Sequence, residues 1–324
     1  MKKIGVKLTL AIMSLIIVVC GALATSSYFL SAKALTLQVE ENLQSKATDV
    51  SLYIEEVFNR MFVEIQSISK QPVIENLSYD NLKPTFNELD EQLSAYPDYL
   101  AFAIVDEKGI AHYTDGSTSD LADRDYIQAA FDGETVLSDI VISRVTGEPV
   151  LMLATPIETA SKETALLLAR VDGYILSNVV DTIKIGETGY AFIINNEGVM
   201  QGHLKREYVK EQMNYTEEGN TVSEAIQNMI DNTSGYSKYE DVDGEMRLAG
   251  FYTLNNNWTM AVTATEDEML ASLNMVKINL TVFSLLFLVI GGVIAYVIGR
   301  SLSKPITELV HVSEAVGNGD FTQQ

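Results

Sequence analysis

Two uninterrupted apolar runs and one long amphipathic stripe organise this chain. From Leu8 to Ala32, and again from Ile278 to Gly299, no charged residue occurs. Each run reaches the roughly 20 apolar residues that cross a bilayer as a helix. Between them Leu43, Ala47, Val50, Ile54, Val57, Met61, Ile65 and Ile68 recur at steps of three or four. This period predicts a helix of about seven turns, ended by Pro72, whose ring cannot continue it. Such a stripe either packs along its own domain or pairs with a second copy of the chain, and the pattern leaves both open.

From Leu100 the texture changes to alternation punctuated by turn residues: AFAIVDEKGIAHYTDG, TVLSDIVISRVTGEPVLMLATPI and ETALLLARVDGYIL. These stretches predict antiparallel strands joined at Glu-Lys-Gly, at Thr-Gly-Glu-Pro and at Ser161-Lys162-Glu163. Among them sits DRDYIQAAFDG, a short amphipathic helix closed by Gly133. A second unit opens at GETGYAFIINNEGVMQGH, passes a helix near Ser223 to Ile230, and ends in SGYSKYEDVDGEMRLAGFYTL and NNNWTMAVTATE. Aligning Gly109 with Gly198 sets Ile104-Val105-Asp106-Glu107 over Ile193-Ile194-Asn195-Asn196, so the two units echo each other as strand, tight turn and returning strand.

Charge adds an orientation. Lys2, Lys3 and Lys7 precede the first run, and Arg300 and Lys304 follow the second. By the positive-inside rule both outer ends are cytoplasmic and the middle lies outside. A cleaved leader is the rival reading of the first run, since Ala22-Leu23-Ala24 resembles a cleavage site, but the run continues through Tyr28-Phe29-Leu30. Residues 32–276 hold 16 of the 22 basic and 41 of the 44 acidic residues, a formal charge of −25. Such a surface repels nucleic acid and anionic head groups. The one cysteine, Cys20, falls inside the first apolar run, so the external part is held by its own core without disulfides.

Four segments then resemble the double Cache sensor domain of bacterial transmembrane receptors, methyl-accepting chemotaxis proteins above all: RDYIQAAFDGETVLSD, TGEPVLMLATPI, IKIGETGYAFIINNEGVMQGH and GFYTLNNNWTMAV. The resemblance implies an α+β fold, a long N-terminal helix with two stacked PAS-like antiparallel-sheet lobes, flanked by two transmembrane helices. The boundaries it implies are a cytoplasmic N-terminus at 1–7, a first membrane helix at 8–32 and a sensor domain at 33–276. Its distal lobe lies near 77–175 and its proximal lobe near 183–268, with a second membrane helix at 277–299. RSLSKPITELVHVSEAVGNGDFTQQ resembles the opening of a HAMP linker at 300–324, with Pro305 at a helix start, Leu309 inside and Gly319-Asp320-Phe321 at its end.

The resemblance also implies a role: a homodimeric plasma-membrane chemoreceptor that binds a small metabolite in the distal lobe and signals through the second membrane helix. A sensor histidine kinase or cyclic-dinucleotide enzyme could carry the same domain, and a membrane-anchored adhesive protein is the rival of another class. Amino-acid-binding members place an arginine at the start of the short helix to grip a carboxylate in a bidentate pair, aromatics along the wall, and carboxylates for the ammonium. Arg124 and Asp172 match that pattern, and Tyr126 stands where tryptophan is common. Ile127, Val141 and Ser143 depart from it, with Asp139 as a substitute acceptor.

The expected ligand is therefore a carboxylate- or amine-bearing metabolite, with Arg124, Tyr126, Asp139, Ser143 and Asp172 around it. Arg124 accepts a helix first turn, where the dipole disfavours cations, unless Asp123 and Asp125 neutralise it there. His112 and His203 lie at matching places after the echoed turns but lack a second ligand at a metal-binding spacing. No Gly-x-Ser-x-Gly, phosphate-cradling loop or Cys-His pairing is present. Neither cofactor, metal nor enzymatic activity is expected of the external domain, and Trp258 is expected in the proximal core.

Overall fold

The computed structural model describes residues 3–160, 164–217 and 221–317. The Ser161-Lys162-Glu163 turn and the Gly319-Asp320-Phe321 end of the linker segment lie outside the described residues. The chain divides into two compact units, one of Met1–Gln38 with Met269–Gln324 and one of Val39–Glu268. The second lies within the sensor boundaries read from the sequence.

The apolar stripe forms the second half of one unbroken helix, α1 (Lys3–Ser69). Leu43, Ala47, Val50, Ile54, Met61, Ile65 and Ile68 are buried as the period requires. At Val57 the stripe shifts. Val57 is half-buried while Phe58 is buried, because residues 57 and 58 straddle the helix face and the larger ring reaches Trp258 edge-on, centroids 5.6 Å apart. Helices α2 (Pro72–Glu75) and α3 (Lys83–Ala95) then lead into the distal lobe.

That lobe is a seven-stranded antiparallel sheet of β1 (Tyr99–Val105), β2 (Ile110–Tyr113), β3 (Thr118–Asp120), β4 (Val136–Leu137), β5 (Val141–Ile142), β6 (Pro149–Glu158) and β7 (Thr164–Asp172). The order is β3-β2-β1-β7-β6-β4, with β5 also on β6. DRDYIQAAFDG supplies α4 (Asp125–Phe131), which packs across β6 and β7. Its Tyr126, Ile127 and Ala130 join Val150, Met152, Leu166 and Leu168 in one core cluster. Gly133, at φ +101°, ends it as expected.

After α5 (Ile175–Val180), the proximal lobe is a five-stranded antiparallel sheet of order β10-β11-β12-β8-β9. Its strands are β8 (Tyr190–Ile194), β9 (Met200–His203), β10 (Ser234–Glu240), β11 (Met246–Thr253) and β12 (Thr259–Thr265). Helices α6 (Arg206–Lys210) and α7 (Ser223–Asp231) cover it. Gly250 lets α1 press onto β11: a Cβ there would stand 2.2 Å from the Leu43 carbonyl carbon and the Gln44 nitrogen.

The echo between the lobes is a shared turn. The Asp106 carboxylate accepts the amides of Lys108 and Ile110, and the Asn195 side-chain oxygen accepts those of Glu197 and Val199. Gly109 and Gly198 complete the two turns at φ +80° and +81°. A third copy closes the β10–β11 hairpin, where Asp241 accepts the amides of Asp243 and Glu245 around Gly244 at φ +80°.

The other unit pairs the first part of α1 with α9 (Ser272–Gly317), reached through α8 (Glu266–Met269). Both helices are long and apolar enough to cross a membrane, and Leu10, Phe29 and Val289 turn outward. They meet at small residues, where a Cβ on Gly291 would lie 2.6 Å from Ile16 and Ala295 is wholly buried. Pro305 lies inside α9 and not at a helix start. A proline there forfeits one backbone bond and crowds the carbonyl four residues before it, a local cost that α9 bears.

Candidate functional site

The sheet face under α4 carries the charged groups. Along β7 the register with β6 is regular from Thr164 to Asp172, so Leu166, Leu168, Arg170 and Asp172 share one face. Leu166 and Leu168 belong to the α4-side cluster, and Arg170 and Asp172 extend it. The Arg170 guanidinium lies over the Tyr113 ring, 5.3 Å from its centroid. Its Nε and Nη1 are buried without a hydrogen-bond partner among the described residues, and so is Nε of Arg124.

Arg124 sits one position earlier than expected. It is the N-cap of α4, in extended backbone at φ −89° and ψ 128°, and its side chain caps nothing. Asp123 lies within the field of Arg124, but its carboxylate is hydrogen-bonded by Arg144, Nη1 at 2.8 Å and Nη2 at 2.6 Å. That hydrogen-bonded pair drops the Asp123 pKa to about 2. Arg144 Nη1 also donates to the Asp120 carbonyl at 2.6 Å, which straps the β5–β6 turn to the loop before α4.

Burial pushes the Tyr126 hydroxyl up to about 12, against the opposing field of Arg124. It raises Tyr113 as well, against the field of Arg170. Arg124, Tyr126, Tyr113 and Arg170 are thus electrostatic neighbours on one face. Asp172 accepts the Tyr174 amide through Oδ1 at 2.9 Å. Ser143 follows β5 at the rim, where its Oγ accepts the amides of Val145 and Thr146.

Asp139 is turned away from this face. Its carboxylate accepts the Trp258 indole N–H and the Asn195 side-chain amide, each at 2.7 Å. The flanking backbone is held the same way: Ile140 donates its amide to Gln201 at 2.7 Å and accepts from Gln212 at 2.8 Å. The segment between β4 and β5 therefore belongs by contact to the proximal lobe, and Asp139 does not stand opposite Arg124 as an ammonium acceptor. Trp258 is buried in the proximal core as expected.

Arg170 and Tyr113 are the members of this face that the sequence reading did not select. The available signal was parity: Arg170 stands two residues before Asp172 in the same strand. His112 is paired with Asp106 at 3.1 Å. No group of three or more metal-ligating side chains occurs among the described residues.

A long helix backs two antiparallel-sheet lobes, and the distal one carries buried guanidinium nitrogens of Arg124 and Arg170 that lack hydrogen-bond partners among the described residues. In comparison with known proteins, the Cache domain profile matches residues 31–273, and the chain belongs to that family. Methyl-accepting chemotaxis protein McpB of Bacillus subtilis is 26% identical over 193 residues, 59% of this chain and 27% of that protein. PctB of Pseudomonas aeruginosa is 23% identical over 225 residues, 65% of this chain and 34% of that one. The chain thus spans about a third or less of these two relatives.

Among solved structures, the ligand-binding domain of the Pseudomonas fluorescens chemoreceptor CtaA with L-isoleucine superposes at a TM-score of 0.58 and 17% identity, covering 75% of this chain and 99% of that one. The sensory domain of the Campylobacter jejuni chemoreceptor Tlp3 with isoleucine bound gives 0.57 and 14%, covering 74% and 98%. At these identities the likeness is one of fold.

Proposed function

We propose that this chain is the sensing and membrane-spanning part of a chemoreceptor whose distal lobe binds a small carboxylate-bearing metabolite. The observation that carries the reading is the pair Arg124 and Arg170, whose buried nitrogens have no partner among the described residues. A buried donor left without a partner is costly, and a carboxylate placed between α4 and β7 removes that cost with bidentate, charge-assisted hydrogen bonds. Asp172, with Oδ1 engaged and Oδ2 free of donors among the described residues, is the acceptor for an ammonium group on an α-amino acid. Tyr126 and Tyr113 form the wall, and Ser143 lies at the rim. CtaA and Tlp3 are recorded with isoleucine, which places amino acids first among compounds to test.

In this reading α1 and α9 cross the membrane twice with the sensor outside. The chain pairs as a homodimer, along whose α1 face Leu52 and Val63 are exposed. Residues 300–324 begin a HAMP linker towards an output module. The ligand acts by preferring one of two existing arrangements, so its effect is limited by the difference in its affinity for them.

Calorimetric titration of the full chain in nanodiscs with L-isoleucine, L-glutamate and succinate tests this. At least one should bind, and Arg124→Ala and Arg170→Met should each weaken it by about tenfold or more. Binding that survives both substitutions, or no binding by any of the three, overturns the reading.

A further inference from the structure

The proximal lobe contains a cavity of about 220 Å³ that the distal site does not involve. It lies between the β8, β9 and β11 face, α6, α7 and the turn that closes β10 and β11. Its walls are aromatic. The Tyr190 and His203 rings meet edge to face at 5.3 Å, His203 and Tyr208 lie 4.8 Å apart at 33°, and Tyr208 meets Tyr215 at 6.3 Å.

The charged groups of these walls are already matched. Arg247 donates Nε to Asp241 at 2.5 Å, with its guanidinium 5.0 Å from the Tyr190 centroid. The other Asp241 oxygen is taken by the two turn amides. At the rim Lys205 Nζ donates to the Tyr208 hydroxyl at 3.1 Å, and the Asp243 carboxylate on the same lining offsets its charge. A charged ligand would have to compete with these pairs for its counter-ion, so the lining favours an uncharged one.

His203 adds a ring N–H to this lining. His203 Nδ1 accepts the Lys205 backbone amide at 2.8 Å. The neutral ring therefore carries its proton on Nε2, which has no partner among the described residues. Burial, aided by the Lys205 charge, holds the His203 pKa down at about 4, so the ring stays neutral near pH 7. At the mouth, Leu204 and Val242 are 55% and 60% exposed and form an apolar lip.

We infer that the proximal lobe is a second ligand site, which takes an uncharged planar heteroaromatic molecule. Its ring lies among Tyr190, Tyr208 and Tyr215, and its ring nitrogen or carbonyl accepts the His203 Nε2–H. Ring faces and edges recognise other flat π systems by offset or edge-to-face packing, and the imidazole donor fixes the orientation. The inference stands whether or not the distal lobe binds a carboxylate.

Saturation-transfer NMR on the full chain in nanodiscs tests it, with hypoxanthine and nicotinamide as probes and cyclohexanecarboxamide as the non-aromatic control. Transfer to at least one aromatic probe and none to the control is expected. Tyr208→Ala should weaken binding by about tenfold or more and His203→Phe, which keeps a ring but removes the donor, by about threefold or more, with Arg124→Ala unchanged. If Tyr208→Ala fails to fold, His203→Phe alone decides. No transfer to either aromatic probe, equal transfer to the control, unchanged binding in His203→Phe, or loss in Arg124→Ala would overturn the inference.

Discussion

The Asp139 carboxylate accepts the Trp258 indole N–H at 2.7 Å across 119 positions of sequence, joining the β4–β5 segment of the distal lobe to the residue that leads into β12. Phe58 of α1 meets the same indole edge-on. One side chain thus touches the backing helix and both lobes. Trp258→Phe keeps the ring packing and removes the donor. It should lower the unfolding free energy by about 1 kcal/mol, the net worth of one hydrogen bond to a partly solvated carboxylate. Calorimetric unfolding checks this. Asp139→Ala in the same background should add much less than it costs alone, because the two groups share the interaction.

Arg170→Met should make the unliganded protein more stable by about 1 kcal/mol, since it replaces a guanidinium with two buried, unpartnered nitrogens by an apolar side chain of similar length. The same substitution should abolish stabilisation by whichever carboxylate binds. A fall in unliganded stability would mean that packing on Tyr113 outweighs the unpartnered nitrogens.

His203 makes stability depend on pH. Its folded pKa of about 4 lies below the 6.5 of the free side chain. Between these values the unfolded chain binds the proton and the folded chain does not, so stability is complete above about pH 6.5 and falls as pH drops towards 4. The loss from this group is about 3 kcal/mol at the lower end. Unfolding free energies at intervals across that window, compared with His203→Gln, isolate it: the variant should lack this component of the slope.

Gly250→Ala should separate α1 from the proximal sheet. The added carbon meets main-chain atoms of Leu43 and Gln44 at 2.2 Å, and backbone cannot swing aside as a side chain can. A loss of about 1–3 kcal/mol is expected, with faster amide exchange in β11 near residue 250. An unchanged midpoint would refute the close contact.

The legible parts of this chain are those governed by local period. The stripe on α1, the helix closed by Gly133, the strands and the echoed turn all follow from spacing or from one residue type at a fixed place. The third turn, Asp241 to Glu245, repeats the Asp106 pattern and was readable in the same way. What spacing cannot supply is the partner of a residue.

Asp139 looked available to the distal ligand because its partners, Asn195 and Trp258, lie in the other lobe. Arg170 was hidden because Ala165 to Ala169 is apolar on both faces, so no alternation marks which side a residue joins. The proximal cavity draws Tyr190, His203, Tyr208, Tyr215 and Tyr239 from four separate elements and a loop. Nothing short of the fold collects them.

Trp258 is also the one tryptophan in a chain with 15 tyrosines. Excited at the red edge of its absorption, where tyrosine is silent, the protein emits from a single place, the joint at which Asp139, Phe58 and β12 meet. Its emission is an optical gauge of that joint alone: a shift on adding a compound to either lobe reports movement or altered hydration there, without any label being introduced.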